Sequence, residues 1–200
     1  PVSPPTVQVS SFSHRDSYEQ DLVSLVQGGQ RWYGELFDVP VNGALEKNFI
    51  FNVPNVSAGS LAKINVSMAS NKRSSDVASV DFNVNGSLLS SASFSSSSED
   101  YSRIQHYFDF NISSSALNLK LTVSRSNPST LAYLDRIILN TTRNLVYSSN
   151  EFAFRDLESV STNQIAEYTI SNLPTNAMVW DITNRHIPEL IIGNNQSNTF

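Results

Sequence analysis

The residues with the widest chemical reach in this 200-residue chain are its three histidines, His14, His106 and His186. Imidazole changes charge near neutral pH and is the commonest metal ligand. The spacing joins none of the three to another, or to a close carboxylate cluster, so no metal-ligand pattern forms. His106 shares an apolar face with Ile104 and Phe108, which describes a partly buried, hydrogen-bonded sheet histidine. His14 and His186 fall in expected loops and face solvent. The chain has no cysteine, which excludes disulfides, thiolate metal sites and cysteine nucleophiles within it. Serines are abundant, yet no Gly-x-Ser-x-Gly elbow occurs. Distant residues can still assemble a Ser-His-Asp triad, but nothing raises one above background. Glu35 with Asp38, and Glu99 with Asp100, have the proximity that an acid/base pair needs; surface charge is the better account of both. Phosphate-binding glycine loops are absent. No catalytic residue, metal ligand or cofactor is assigned.

Aromatic side chains are the remaining candidates, because flat rings stack on sugar rings. Trp32, Tyr33, Tyr101 and Tyr107 are the candidate ligand-binding residues. Ordinary packing, with the phenol reaching a polar partner, is the competing and favoured account. Asp100 and Asp135 are the acids that a structural calcium would use, although plain loop charge explains them too. The Asn-x-Ser/Thr triplets at Asn55, Asn65, Asn85, Asn111, Asn140 and Asn195 are incidental to an Asn- and Ser-rich composition, and several fall inside expected strands.

Composition limits the partners. Hydrophobic residues make up 40% and charged residues 16%, so the chain can build a packed core while Ser, Asn and Thr fill its polar positions. The net charge of -5 and dispersed lysines disfavour nucleic acid, and no polybasic run suits an anionic membrane surface. No apolar run is long enough to span a bilayer. The start at Pro1, without an initiator Met or signal-peptide pattern, marks the chain as a piece of a longer protein.

These residues need elements to position them, and the dominant period is two. Ala62, Ile64, Val66 and Met68 share one face, as do Ala78, Val80, Phe82 and Val84. Ile104, Phe108, Phe110 and Ile112 form another such set, and Leu117, Leu119, Leu121 and Val123 a fourth. Alternation of this kind marks half-buried strands. Asn85-Gly86 signals a type I′ hairpin; Pro54-Asn55 and Asn127-Pro128 punctuate other strand ends. Ser95 to Asp100 reads as a mobile surface loop. Tyr18, Leu22, Leu25 and Val26, stopped by Gly28-Gly29, predict a short helix over 16–26. The expected fold is all-β: a jelly-roll-like antiparallel β-sandwich with a short N-terminal helix and a smaller C-terminal β segment. The expected domains are a lead-in with the helix (1–30), the β-sandwich (31–149) and the smaller β segment (150–200). In the last, Phe152 and Phe154, Tyr168 and Ile170, then Met178, Trp180 and Ile182 alternate. The apolar stub Leu190 to Ile192 suggests a chain that continues and packs against it.

Three stretches carry a family resemblance. They are His14-Arg15 through Asp21-Leu22 into Gly29-Gln30-Arg31-Trp32-Tyr33-Gly34-Glu35; Leu134-Asp135-Arg136-Ile137 followed by Phe152 to Arg155; and Val179-Trp180-Asp181-Ile182-Thr183 with Pro188 shortly after. Their order resembles the non-catalytic N-terminal region of PorU-like type IX secretion system sortases, of the gingipain-type cysteine peptidase family. The resemblance implies a parent at the outer membrane or cell surface of a Gram-negative bacterium. That parent cleaves a sorting domain from exported cargo with a Cys-His dyad on a caspase-like domain. This chain has no cysteine and no His-Gly pair, so the dyad would lie C-terminal of it. The implied partners are the peptidase domain of the same parent, secreted cargo proteins and secretion machinery. The alternative function is a carbohydrate-binding β-sandwich module of a secreted or cell-surface enzyme, with a glycan as partner. Fold alone does not decide between them. An autonomous hydrolase is the third class, and the site evidence for it is weakest.

Overall fold

The computed structural model describes residues 4–26, 29–40, 42–71, 78–95, 101–127, 130–148, 151–157, 159 and 163–193. Among these residues there are strands and no helix. They run β1 (Val7–Val9), β2 (Ser11–Glu19), β3 (Leu36–Phe37), β4 (Ala44–Asn52), β5 (Leu61–Ser70), β6 (Ala78–Val84), β7 (Ser87–Ser93), β8 (Ser102–Asn111), β9 (Ala116–Arg125), β10 (Ala132–Asn144), β11 (Ala166–Tyr168), β12 (Val179–Asp181) and β13 (Glu189–Ile191). The chain forms two compact units: residues 1–14, 55–57 and 142–200, and residues 15–54 and 58–141. The division falls within β2 and β10.

The second unit is the sandwich. One sheet has the order β2-β10-β5-β8, with β3 also on β10; the other has the order β4-β9-β6-β7. From β4 to β10 the chain passes between the two sheets at every connection except the β6–β7 hairpin. This is jelly-roll order. The alternating runs supply the interior. Ile64, Val66 and Met68 of β5 are buried, as are Leu119, Leu121 and Val123 of β9, and Val80 and Phe82 of β6. Asn85 and Gly86 both take positive φ, at 49° and 87°, which is the backbone a two-residue type I′ turn requires. Side chains from facing sheets close the interior. Tyr18 of β2 meets Phe49 of β4 edge-on, with centroids 4.9 Å apart. At the other side Phe82 of β6 stacks on the His106 ring of β8 at 4.7 Å and tilts against Phe108 at 5.4 Å. Phe82 is fully buried, and truncating such a side chain to Ala costs about 3–5 kcal/mol.

The first unit has a smaller core of Val9, Phe12 and Leu145, with Phe152, Phe154 and Tyr168 packed against it. Its β1 and β11 pair in parallel, while β12 and β13 form a separate antiparallel pair.

The helix expected over 16–26 is absent. Residues 11–19 are β2, in which Phe12, His14, Asp16 and Tyr18 are buried or half-buried and Arg15, Ser17 and Glu19 are exposed. Beyond it, Val23 bridges to Tyr33, with reciprocal backbone hydrogen bonds of 2.9 and 2.8 Å. Ser, Asp, His and Tyr are weak helix formers, and the contact of Tyr18 with Phe49 overrides a spacing that only mimics a helical face. Gly28, Ser96 to Ser98, Glu99, Asp100, Pro128 and Asn195 lie outside the described residues.

His106 is a structural histidine with a pH signature. Burial lowers its pKa from the ordinary 6.5, and its Nε2 lies 2.7 Å from Ser90 Oγ. The fold favours neutral imidazole, so the unfolded chain takes up this proton first as the pH falls. The contribution is complete above about pH 6.5 and is lost as the pH drops through the lowered folded value. Urea unfolding from pH 8 to pH 5 should show a decline in stability that is smaller in His106→Gln; an identical decline in both proteins would refute this.

Candidate functional site

The two sheets of the sandwich differ in how they treat their outward polar groups. On β4 and β9 several of these groups hydrogen-bond to one another. Lys120 Nζ donates to Glu46 Oε1 at 2.8 Å, Thr122 Oγ1 donates to the same carboxylate at 3.3 Å, and Asn118 Nδ2 donates to Asn48 Oδ1 at 3.1 Å. Hydrogen bonding to Lys120 holds the Glu46 carboxyl below its ordinary pKa. Ser91 Oγ donates to Asp81 Oδ1 at 2.6 Å on the β6–β7 side.

The outer face of β10-β5-β8 is built differently. Antiparallel register sets its side chains in rows. Arg136, Ser67 and Gln105 form one row, with Tyr133, Ala69 and Arg103 on one side of it and Ile138, Asn65 and Tyr107 on the other. Asn65, Ser67 and Ala69 are buried although they face outward. The segment between β2 and β3 crosses here. Gly34 N–H donates to the Leu134 carbonyl at 2.7 Å and Leu134 N–H to the Glu35 carbonyl at 3.0 Å. The register of β10 shifts between Leu134 and Arg136. Asp135, the extra residue there, is buried, with a carboxylate oxygen 3.8 Å from Arg31 Nη1.

Arg31, Ser67, Arg103 and Gln105, with Met68 and Ile104, line an open hollow of about 280 Å³. No carboxylate and no aromatic ring is among these lining residues. Arg103 and Arg136 have no ion-pair partner among the described residues, and the buried Asn65 Nδ2 and Arg136 Nε have no acceptor there.

The four aromatic candidates divide. Tyr33 is buried and tilts against Tyr133, with centroids 6.5 Å apart. Tyr101, half-buried, stands next to the start of β8 and near enough to Tyr133 to add to the rise in its pKa, which burial dominates. Trp32 is exposed, and Tyr107 is 67% exposed in the Asn65 row. The structure thus gathers Tyr33 and Tyr101 around Tyr133 and sets Tyr107 apart on the sheet face. The carboxylates Glu35 and Asp38 have separate partners: Glu35 accepts from the Tyr18 hydroxyl, and Asp38 accepts from Arg125 at 3.0 Å. His186, exposed, donates its backbone N–H to Asn184 Oδ1, and His14 lies edge-on to Phe12. No group of three or more His, Asp or Glu that could hold a metal occurs among the described residues. The arginines were missed because the signal that groups them is strand register, and Arg31, Arg103 and Arg136 lie far apart along the chain.

A second exposed feature belongs to the first unit. Trp180 lies opposite Leu190, and Val179 opposite Ile191, in the β12–β13 pair. Met178 is 70%, Trp180 48% and Ile192 94% exposed, and Ile182, Ile187 and Leu190 are exposed as well. Both faces of this two-stranded ribbon carry apolar side chains. A two-stranded ribbon alone is marginally stable, and apolar patches of this kind mark interaction surfaces.

Among solved structures, the chain is similar to dimeric latent PorU from Porphyromonas gingivalis, with a TM-score of 0.75 and 21% identity. The match covers 99% of this chain and 19% of that one, so this chain spans about a fifth of the PorU length. It is also similar to the CBM36-1 domain of a multidomain xylanase from the hindgut metagenome of Trinervitermes trinervoides, with a TM-score of 0.40, 12% identity, and 64% of this chain and 95% of that one covered. A carbohydrate-binding module CBM36 in complex with calcium and xylotriose gives a TM-score of 0.37 and 18% identity, covering 62% and 97% of the two chains. No protein-family profile and no curated protein sequence matches the chain. The likeness to PorU is one of fold.

The Tyr18–Glu35 contact anchors the segment that carries Arg31 and Trp32. Burial first, then the hydrogen bond to Glu35 and its charge, push the Tyr18 pKa from 10.0 up to about 12. The unfolded phenol ionises first, so this contribution is complete below about pH 10 and lost as the pH rises through about 12. The difference in stability between wild type and Tyr18→Phe should shrink across that window; a constant difference would show that the phenol proton plays no part.

Proposed function

We propose that this chain is a non-catalytic β-sandwich region of a type IX secretion system sortase-like cysteine peptidase. It positions the peptidase domain and contacts cargo or secretion machinery at the outer membrane or surface of a Gram-negative bacterium. Three things support this reading. The fold follows that of PorU over nearly the whole chain. The Trp32-Tyr33-Gly34-Glu35 and Trp180-Asp181-Ile182-Thr183 stretches resemble that family. The observation that carries it furthest is the β12–β13 ribbon, apolar on both faces and exposed. Such a ribbon is completed by packing against a further protein surface, and the peptidase domain of the same parent is the surface that this reading supplies. Its Cys-His dyad would lie on that domain, since this chain has no cysteine.

The test compares amide exchange in this chain and in a polypeptide extended through the peptidase domain. Exchange of Val179 to Ile191 should slow in the extended polypeptide. The doubly substituted Trp180→Ser, Leu190→Ser chain should keep its sandwich stability within about 0.5 kcal/mol. Unchanged exchange in the extended polypeptide would remove the docking reading.

Tyr107 favours a second reading, because it stands exposed on the face of β8 where a ring can stack on a sugar. Under that reading the chain is a carbohydrate-binding module of a secreted or cell-surface enzyme. Calorimetric titration with a panel of neutral polysaccharides should then give heat that Tyr107→Ala abolishes; no heat from any of them eliminates it.

A further inference from the structure

We infer that the hollow on the outer face of β5 and β8 binds a peptide carboxylate, gripped by Arg103 and Arg31. The inference concerns the sandwich unit and does not rest on the docking of β12–β13. Its first support is a contrast within one molecule. On the β4–β9 face Lys120, Thr122 and the Asn118 amide nitrogen meet acceptors across the strands, although Asn118 Oδ1 is buried without a donor among the described residues. On the β10-β5-β8 face Arg103 and Arg136 meet none among the described residues, and the Asn65 amide is buried at 8% exposure without an acceptor. A buried donor left unpaired costs about 1–3 kcal/mol, and the exposed Arg103 guanidinium is the donor on this face that an acceptor from outside can reach. Arg31 is only partly engaged, because its 3.8 Å approach to Asp135 exceeds direct hydrogen-bond length.

The lining selects the ligand. Guanidinium groups present planar forks of N–H donors that match a carboxylate in bidentate fashion. Arg31, Arg103, Gln105 and Ser67 line the hollow, and Asp135, 3.8 Å from Arg31, is the carboxylate with which a ligand competes. The volume, about 280 Å³, lies at or below the lower end of small-molecule sites, roughly 300–1,000 Å³. It suits one acidic group and a short stretch of chain. No aromatic ring lines it, which argues against a sugar. The carboxylate is either an acidic side chain or the chain terminus, and the two are separable.

Fluorescence anisotropy of the 200-residue chain with three Gly-Ser hexapeptides, labelled at the N-terminus, makes the test. One carries an internal Glu and an amidated end, one a free C-terminal carboxylate and no Glu, and one neither. Binding of the first identifies a side-chain carboxylate, and of the second a terminal one. The neutral peptide should bind at least tenfold more weakly than the better of the two. Arg103→Gln should weaken that binding at least tenfold, Arg185→Gln on an exposed loop should leave it unchanged, and added salt should weaken it in the wild type. Arg103 is exposed, so its variant should keep the wild-type circular dichroism and melting curve. The inference is overturned if neither acidic peptide binds, if the neutral peptide binds equally, if Arg103→Gln has no effect, or if only an oligogalacturonate of matched charge binds. Any of these failures leaves the ribbon of the other unit untouched.

Discussion

The sandwich unit rests on one shared layer of side chains between two sheets, which must be filled from both sides at a separation of about 10 Å. The centre of that layer is supplied by β5 from one sheet and β9 from the other, through aliphatic side chains that are almost wholly inaccessible. The borders need different chemistry, since there the sheets diverge and water competes. Aromatic contacts serve both borders: Tyr18 on Phe49, and His106 with Phe108 on Phe82. Each places a polar tip toward the rim, where it finds a partner in Glu35 or Ser90. The interior is therefore complete without help from either outer face. That completeness makes the state of an outer face informative, because unpaired donors there are not a by-product of filling the core.

Strand β10 turns this interior into a platform. It pairs with β2, β3 and β5, and its register shift at Asp135 changes the parity of the strand. Ala132 and Leu134 point inward before the shift, and Ile137 and Leu139 after it. A bulge bends and twists its strand locally. Here it also leaves a buried carboxylate on the side where Arg31 approaches. The segment between β2 and β3 is pinned at the same place by backbone hydrogen bonds from Gly34 and to Glu35. One irregularity in one strand thus fixes where Arg31 stands relative to Ser67 and Arg103.

The same irregularity explains which parts of the fold could be read from residue order. The runs through Ile64, Phe82 and Leu119 alternate cleanly because each keeps one face inward for its whole length, and Asn85-Gly86 states its turn outright. Strand β10 does not alternate, since its parity changes midway. Strand β7 is mostly exposed serine and leucine, so it has no apolar face to announce. Residues 16–26 misled through Tyr18, Leu22, Leu25 and Val26, whose intervals match a helix while Tyr18 lies in a strand and Val23 bridges back to Tyr33. Of the candidate site, the aromatics were visible as residue types. The arginines became a group only once strands distant in sequence were paired, a non-local fact that no window of residues contains. The exposure of Ile192 was foreshadowed by the apolar stub Leu190 to Ile192, but the two-sided character of the ribbon follows from the pairing of β12 with β13.

The two outward features operate by different physics, and this bears on what each can recognise. The β12–β13 ribbon offers apolar area, whose attraction is non-directional and is not screened by salt. The hollow offers few contacts of fixed geometry, whose strength depends on excluding water and ions. The chain as a whole carries a net charge of -5, so its long-range field repels the anion that the hollow would hold. At physiological ionic strength charges are screened beyond about 8 Å, and only groups inside that distance act on a ligand. For an anion at the hollow those groups include Arg31 and Arg103, and Arg136 beside Ser67, with Asp135 already turned toward Arg31. Attraction is therefore confined to contact range, which disfavours capture of free anions from solution. It favours an acidic group that other contacts have already brought to the surface.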